Sequence, residues 1–233
     1  MKLPVIFGIW ALLAGAPAAA SAPAIPTVGC PSDGQTGPLP APRRHAPAPH
    51  VPAAAAQRLA WYVSNNTGGV LAPRGWHCFE QYGSDGSVLL VTPQPLHGDQ
   101  FSATLTGPAV QVSFSFGDTS GRFAAARIAA RLFPDRRAFV QDVMAEGIEP
   151  ASDFPFGPFA HDTVRRINRS TVALTTPPLL AGMGTSSRLA PSADPIHGLA
   201  RMDGDNNATL LAVRLPAAQA DLAHAIVSAM VAS

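Results

Sequence analysis

The sequence predicts an α+β fold: a mainly antiparallel sheet with a central helix pair and a C-terminal helix. Three observations carry that expectation. Short apolar runs follow one another with tight polar turns between them, as consecutive antiparallel strands do. Helical patterns gather in the middle of the chain and at its C terminus. Nowhere do strands and helices alternate as βαβ crossovers require, and there is no internal repeat.

The first residues, "MKLPVIFGIWALLAGAPAAASAPA", carry one positive charge, an apolar run from Val5 to Ala16 and then small residues. This is the pattern of a secretory signal peptide spanning residues 1–20, cleaved after Ala20. The run is shorter than the roughly 20 residues that cross a bilayer, so no transmembrane anchor is expected in the mature chain. A rival reading of "TVGC" makes Cys30 a lipidated first residue, although Thr27 replaces the large aliphatic residue of such sites. Residues 21–52 are dominated by proline, alanine and glycine and read as an extended arm tethered through Cys30, with His45 and His50 exposed in it.

Residues 53–233 then read as a single α+β domain. "AAAAQRLAWYVS" (53–64) predicts a short helix, because alanine-rich helix formers lead into Leu59 and Tyr62 or Val63 on one side. Three runs rich in aromatic and β-branched residues follow, "GGVLAP", "WHCFEQYG" and "SVLLVTP", the last two joined by the Asp-Gly hairpin turn of "YGSDGS". "FSATLTG" and "VQVSFSF" are further strands. The second alternates Val110, Val112, Phe114 and Phe116 with Gln111, Ser113 and Ser115, as a half-buried strand does. Asp118, Thr119 and Ser120 are N-cap candidates for a helix to about Phe133 with Phe123, Ala126, Ala130 and Phe133 on one stripe. Pro134 starts a second helix that Gly147 stops. "DTVRRIN" and "STVALTTP" form a hairpin, as do "IHGLARM" and "ATLLAVRLP". Pro216 opens the closing helix, which carries Leu222, Ile226 and Met230.

Composition narrows the class. Hydrophobic residues make up 47% and charged residues 13%, a balance suited to an ordinary globular core. The single lysine is Lys2, so loss of the leader leaves 15 arginines against 15 acidic residues. A neutral mature chain gives no electrostatic case for nucleic acid.

Candidate chemistry starts at "PRGWHC". A nucleophilic cysteine needs a base within reach, yet His77 and Cys78 are strand neighbours and face opposite ways. In an oxidising compartment two cysteines pair, so a Cys30–Cys78 disulfide is expected. Serine hydrolase chemistry lacks its G-x-S-x-G elbow: Ser84 reads as a turn residue, and Ser186 sits in "GMGTSS". No histidine spacing suits a metal. Asp203, Asp205 and Asn207 resemble the start of a calcium loop, but Ala208 and Arg214 stand where its glycine and closing glutamate belong, which leaves a hairpin turn. The five arginines from Arg122 to Arg137 read as a solvated face partly paired with Asp118, Asp135 and Asp142, or else as an anion-binding face.

The stretches "GVLAPRGWHC", "YGSDGS" and "AGMGTSSRLAPSADPIHG" resemble recurring segments of secreted or periplasmic proteins of Gram-negative bacteria. The resemblance covers most of the chain after residue 25 and implies the compartment without implying a cofactor or catalytic residue. The expected function is therefore an exported binding or surface-associated module for a small molecule or envelope component. The alternatives are an envelope-associated hydrolase combining His77 or His161 with Ser186 or Asp162, and a purely structural envelope component. The expected ligand site has Arg74, Trp76 and His77 on one wall and Thr185, Ser186 and Arg188 on the other. In the competing reading, Trp76 belongs to the core and Arg74 caps a loop by bonding carbonyls.

Overall fold

The computed structural model describes residues 24–96, 102 and 104–232; the leader at 1–20 lies outside them. Within them the chain is α+β, with mostly antiparallel sheets and four α-helices, the last at the C terminus. Two short strands come first, β1 (Thr27–Gly29) and β2 (Ser32–Gly34), followed by a single helical turn, α1 (Ala53–Ala56). The helix expected over 53–64 stops there. Leu59–Val63 instead forms β3, buried at every position and paired antiparallel to β4 (Gly69–Pro73). The alanines sustain one turn, but Trp61, Tyr62 and Val63 have strand propensity, and a strand buried on both faces shows a continuous apolar run.

The hairpin β5 (His77–Gly83) and β6 (Gly86–Thr92) follows as expected, with Ser84 and Asp85 at its tip. The strand expected over 101–107 is reduced, among its described residues, to one bridge between Leu105 and Leu189. β7 (Ala109–Ser115) pairs with β6, and the chain then enters helices α2 (Arg122–Leu132) and α3 (Arg137–Ala145). Gly121 caps α2 rather than Asp118, Thr119 or Ser120. A Cβ at Gly121 would lie 1.9 Å from the Asp85 carbonyl oxygen, so only glycine lets the helix start against the hairpin tip. Two hairpins complete the fold, β8 (Thr163–Asn168) with β9 (Thr171–Thr176) and β10 (Ile196–Met202) with β11 (Ala208–Arg214), before the final helix α4 (Ala220–Ala232). Asp203 shapes the β10–β11 turn by accepting the backbone N–H groups of Asp205 and Asn207.

The strands form an eight-stranded sheet, β2-β5-β6-β7-β11-β10-β9-β8, and a three-stranded sheet, β1-β3-β4. One face of the large sheet, with Leu89, Val91, Val110, Val112, Leu199, Leu211 and Val213, packs on β3, β4 and the Leu222 and Ile226 stripe of α4. On the opposite face α2 reaches β7, β10 and β11, and Val172, Leu174, Ala200, Met202 and Leu210 pack on Ala125, Ala129, Leu132 and Val140. None of the described helices is long and apolar enough to cross a membrane.

The proline-rich arm is built into both sheets: β1 runs parallel to β3, and β2 runs parallel to β5. Between them Cys30 is bonded to Cys78 across 5.4 Å between Cα atoms. Closing a loop of this length contributes about 4 kcal/mol in the chain-entropy account. With its sulfur in that bond, Cys30 cannot carry a lipid thioether. Beside the bridge, the fully buried Glu80 accepts hydrogen bonds from the hydroxyls of Ser32 and Ser64 and from the backbone N–H groups of Asn66 and Thr67.

Candidate ligand-binding groove

Where α2 and α3 stop covering the large sheet, its side chains become small or polar. One cross-strand row shows the change: Val172, Ala200 and Leu210 under the helices continue into Ser113, Val88 and Gln81. Side chains alternate faces along a strand, so the polar half of the β7 pattern faces this way: Ser113 and Ser115 line the uncovered area, and Gln111 is buried beneath the Arg188 segment. Above it is a cavity of about 850 Å³. Its floor from Gln81 to Leu210 crosses four strands, about 14 Å at the usual strand spacing.

The groove's walls come from three segments. Helix α2 presents Phe123, Ala124, Arg127, Ile128 and Arg131, positions spaced to share one helical face. The loop after α3 contributes Glu149, Asp153 and Phe159, and the segment after β9 contributes Met183, Ser186 and Arg188. The arginines of α2 brace the aromatic loop: Arg131 stacks on the Phe159 ring at 4.0 Å, and Arg127 lies 5.7 Å from the Phe154 ring centroid. Their expected partners are replaced. Arg122 pairs with Glu146 and Arg127 with Glu149, while Asp135 pairs with Arg169.

Arg188 is held through its backbone and its side chain. Its N–H bonds the Gln111 side-chain oxygen at 3.1 Å, and its guanidinium donates to the Gln81 side chain. Its carbonyl accepts the Leu105 N–H at 2.8 Å. Behind this contact the fully buried Arg214, at the end of β11, donates to the carbonyls of Gly107, Ala190 and Leu105 at 2.8, 2.5 and 2.6 Å. Burial pulls the Arg214 guanidinium below its usual proton affinity, and Asp194 opposes that shift.

The expected two-walled site is not assembled. Ser186 and Arg188 line the groove, whereas Trp76 and His77 line a separate cavity of about 320 Å³ beside Cys78. Arg74 caps the preceding segment, donating to the carbonyls of Leu59 and Ala56 at 2.9 and 2.7 Å. Trp76 is half-buried, and its backbone N–H donates to the Tyr62 hydroxyl. Thr185 exchanges hydrogen bonds with the backbone of Gly182 and so shapes the turn. The Ser186 hydroxyl donates to the Met183 carbonyl at 2.7 Å. Asp162 accepts from the Thr176 hydroxyl and the Met183 N–H, both at 2.8 Å, while its neighbour His161 is exposed. A hydrolytic pair would need an imidazole where Ser186 has a carbonyl.

Gln81 and Ser113 were not expected as site residues, and Arg131 was expected only as one of five arginines on a solvated or anion-binding face. Only the alternation of β7 and the Arg127/Arg131 spacing signalled their faces. Among the described residues no group of three or more His, Cys, Asp and Glu side chains gathers to hold a metal. Comparison with protein-family models, curated proteins and solved structures gave no match to this chain, so the groove's own geometry is what bears on function.

Proposed function

We propose that this chain is an exported binding module whose ligand occupies the groove between α2 and the β5–β7 part of the large sheet. The observation that carries the reading is the uncovered half of the sheet face beneath a cavity of about 850 Å³, a volume within the range of small-molecule sites. The central helix pair is, on this reading, α2 with α3, and α2 forms one wall. Carbonyl-bound Ser186 and hydrogen-bonded Asp162 favour binding over hydrolysis.

Filling the floor tests the site. The fluorescent probe 1-anilinonaphthalene-8-sulfonate should bind the native protein, and Ser113→Trp or Ala124→Phe should weaken it about tenfold or more by occupying its volume. Circular dichroism would establish that each variant is folded. Unchanged probe affinity in both folded variants would remove the groove as the ligand site.

Export to an oxidising compartment is supported by the leader pattern and the Cys30–Cys78 bridge. Intact-mass measurement of exported protein, made without reductant, should find residues 1–20 missing and both cysteines oxidised. A retained Lys2 or a free thiol contradicts this placement.

A further inference from the structure

We infer that the groove selects ligands that carry one anionic group, a carboxylate, sulfonate or phosphate, on an apolar body, with the anion received by Arg131 and Arg188. The inference rests on the groove being the ligand site. Its basis is the way the groove's charges are distributed between interior and rim.

Three arginines and three carboxylates line the cavity, Arg127, Arg131 and Arg188 against Asp85, Glu149 and Asp153. Counted alone they cancel, but their surroundings differ. Arg127 and Glu149 neutralise each other at 2.5 Å. Asp85, at the hairpin tip, and Asp153, in the loop after α3, are exposed, so water and salt screen them. Arg131 and Arg188 are half-buried, and among the described residues neither has a carboxylate at ion-pair distance.

Their partners are neutral. Arg131 stacks on Phe159 and donates to the Gly157 carbonyl at 3.3 Å, while Arg188 donates to Gln81. Asp162 favours the charged form of Arg131 from a distance, but burial has the larger and opposite effect. A guanidinium has five N–H donors, so one neutral acceptor leaves both its charge and most of its donors unmet. Stacking on an aromatic face leaves the guanidinium edge available for a planar anion. The interior is therefore the positive part of the groove, and its field favours an anion over a neutral ligand of the same shape.

Apolar surface surrounds those cations. Val88 and Leu210 form part of the floor, Phe123 and Ile128 part of the helical wall, and Met183 and Phe159 lie at the loop side. An inorganic anion would leave this surface wet, and a neutral hydrocarbon would bury two guanidiniums without a counter-charge. A molecule with both parts satisfies both demands.

The test compares 1-anilinonaphthalene-8-sulfonate with N-phenyl-1-naphthylamine, which has the same ring body without the sulfonate. The native protein should bind the sulfonate about tenfold or more tightly than the amine, and added salt should weaken the sulfonate. Arg131→Met and Arg188→Met should each reduce the preference, while Arg131→Lys and Arg188→Lys should retain part of it. Equal affinity for the two probes, or sulfonate binding indifferent to salt and to the methionine changes, overturns the inference. If Ser113→Trp still abolishes both probes in that case, the groove remains the ligand site. Absence of probe binding, or sulfonate binding that survives Ser113→Trp and Ala124→Phe, removes the site and the charge preference together. Should either methionine variant fail to fold, the native protein's probe preference and salt dependence decide the matter.

Discussion

Glu80→Ala is expected to lower stability by about 3–4 kcal/mol, because the buried Ser32 and Ser64 hydroxyls and the donors of the Asn66–Thr67 turn lose a charged acceptor at once. The carboxylate joins three parts of the chain: Ser32 on β2, Ser64 after β3 and the turn at Asn66 and Thr67. Burial alone would push its pKa up, but hydrogen bonds from Ser32, Thr67 and Ser64 outweigh that and hold it below the ordinary 4.5. The ionised form is thus favoured by folding. Its contribution is fully present above about pH 4.5 and is lost as the pH falls through the lowered folded value. Urea unfolding across that window should show the loss in the native protein, and Glu80→Gln should abolish this part of the pH dependence while also destabilising. A Glu80→Ala variant within about 0.5 kcal/mol of the native protein would contradict the role.

Arg214→Ala is expected to cost about 3–5 kcal/mol and to loosen the groove from behind. It leaves the carbonyls of Gly107, Ala190 and Leu105 without the charged donor that gathers them. Those carbonyls lie in two segments that also bond each other, Leu105 N–H to the Arg188 carbonyl and Ala190 N–H to the Leu105 carbonyl. Hydrogen exchange should therefore accelerate at Leu105 and Ala190 more than in β7 or β11. Arg214→Lys should fall between the two, since one ammonium cannot reproduce the guanidinium's three directed bonds. Uniform acceleration throughout the large sheet would instead mean that Arg214 supports the whole core and does not specifically position Arg188.

The hairpins, the C-terminal helix and the disulfide could be anticipated because each depends on local signals: apolar alternation, an Asp-Gly turn, helical spacing, and two cysteines in an exported chain. β3 could not, because four alanines favour a helix while its partners β1 and β4 are supplied by the tertiary fold. The groove was half visible. Gln111, Ser113 and Ser115 were readable as the polar side of β7, but their neighbours depend on how far α2 extends across the sheet. Arg188 was picked out by its loop, whereas Arg131 was one of five arginines on a solvated or anion-binding face, not singled out because Phe159 is distant in sequence. Glu80 and Arg214 gave the weakest signals. A buried charge whose partners are backbone groups or neutral side chains leaves no complementary charge in the sequence to reveal it.

The arm's docking also bears on the order in which the protein assembles. Both of its pairings are parallel, and Ser32 meets Glu80 across 48 intervening steps of chain. Such contacts close large loops before gaining compensating interactions, so hairpin contacts form faster. Without the arm β3 and β5 would be open edges, with unpaired N–H and C=O groups able to capture another chain. In the folded protein the arm occupies both edges, and the Cys30–Cys78 bond ties it there. The bridge thus holds in place the segment that caps two strand edges, so breaking it frees the cap as well as the cross-link.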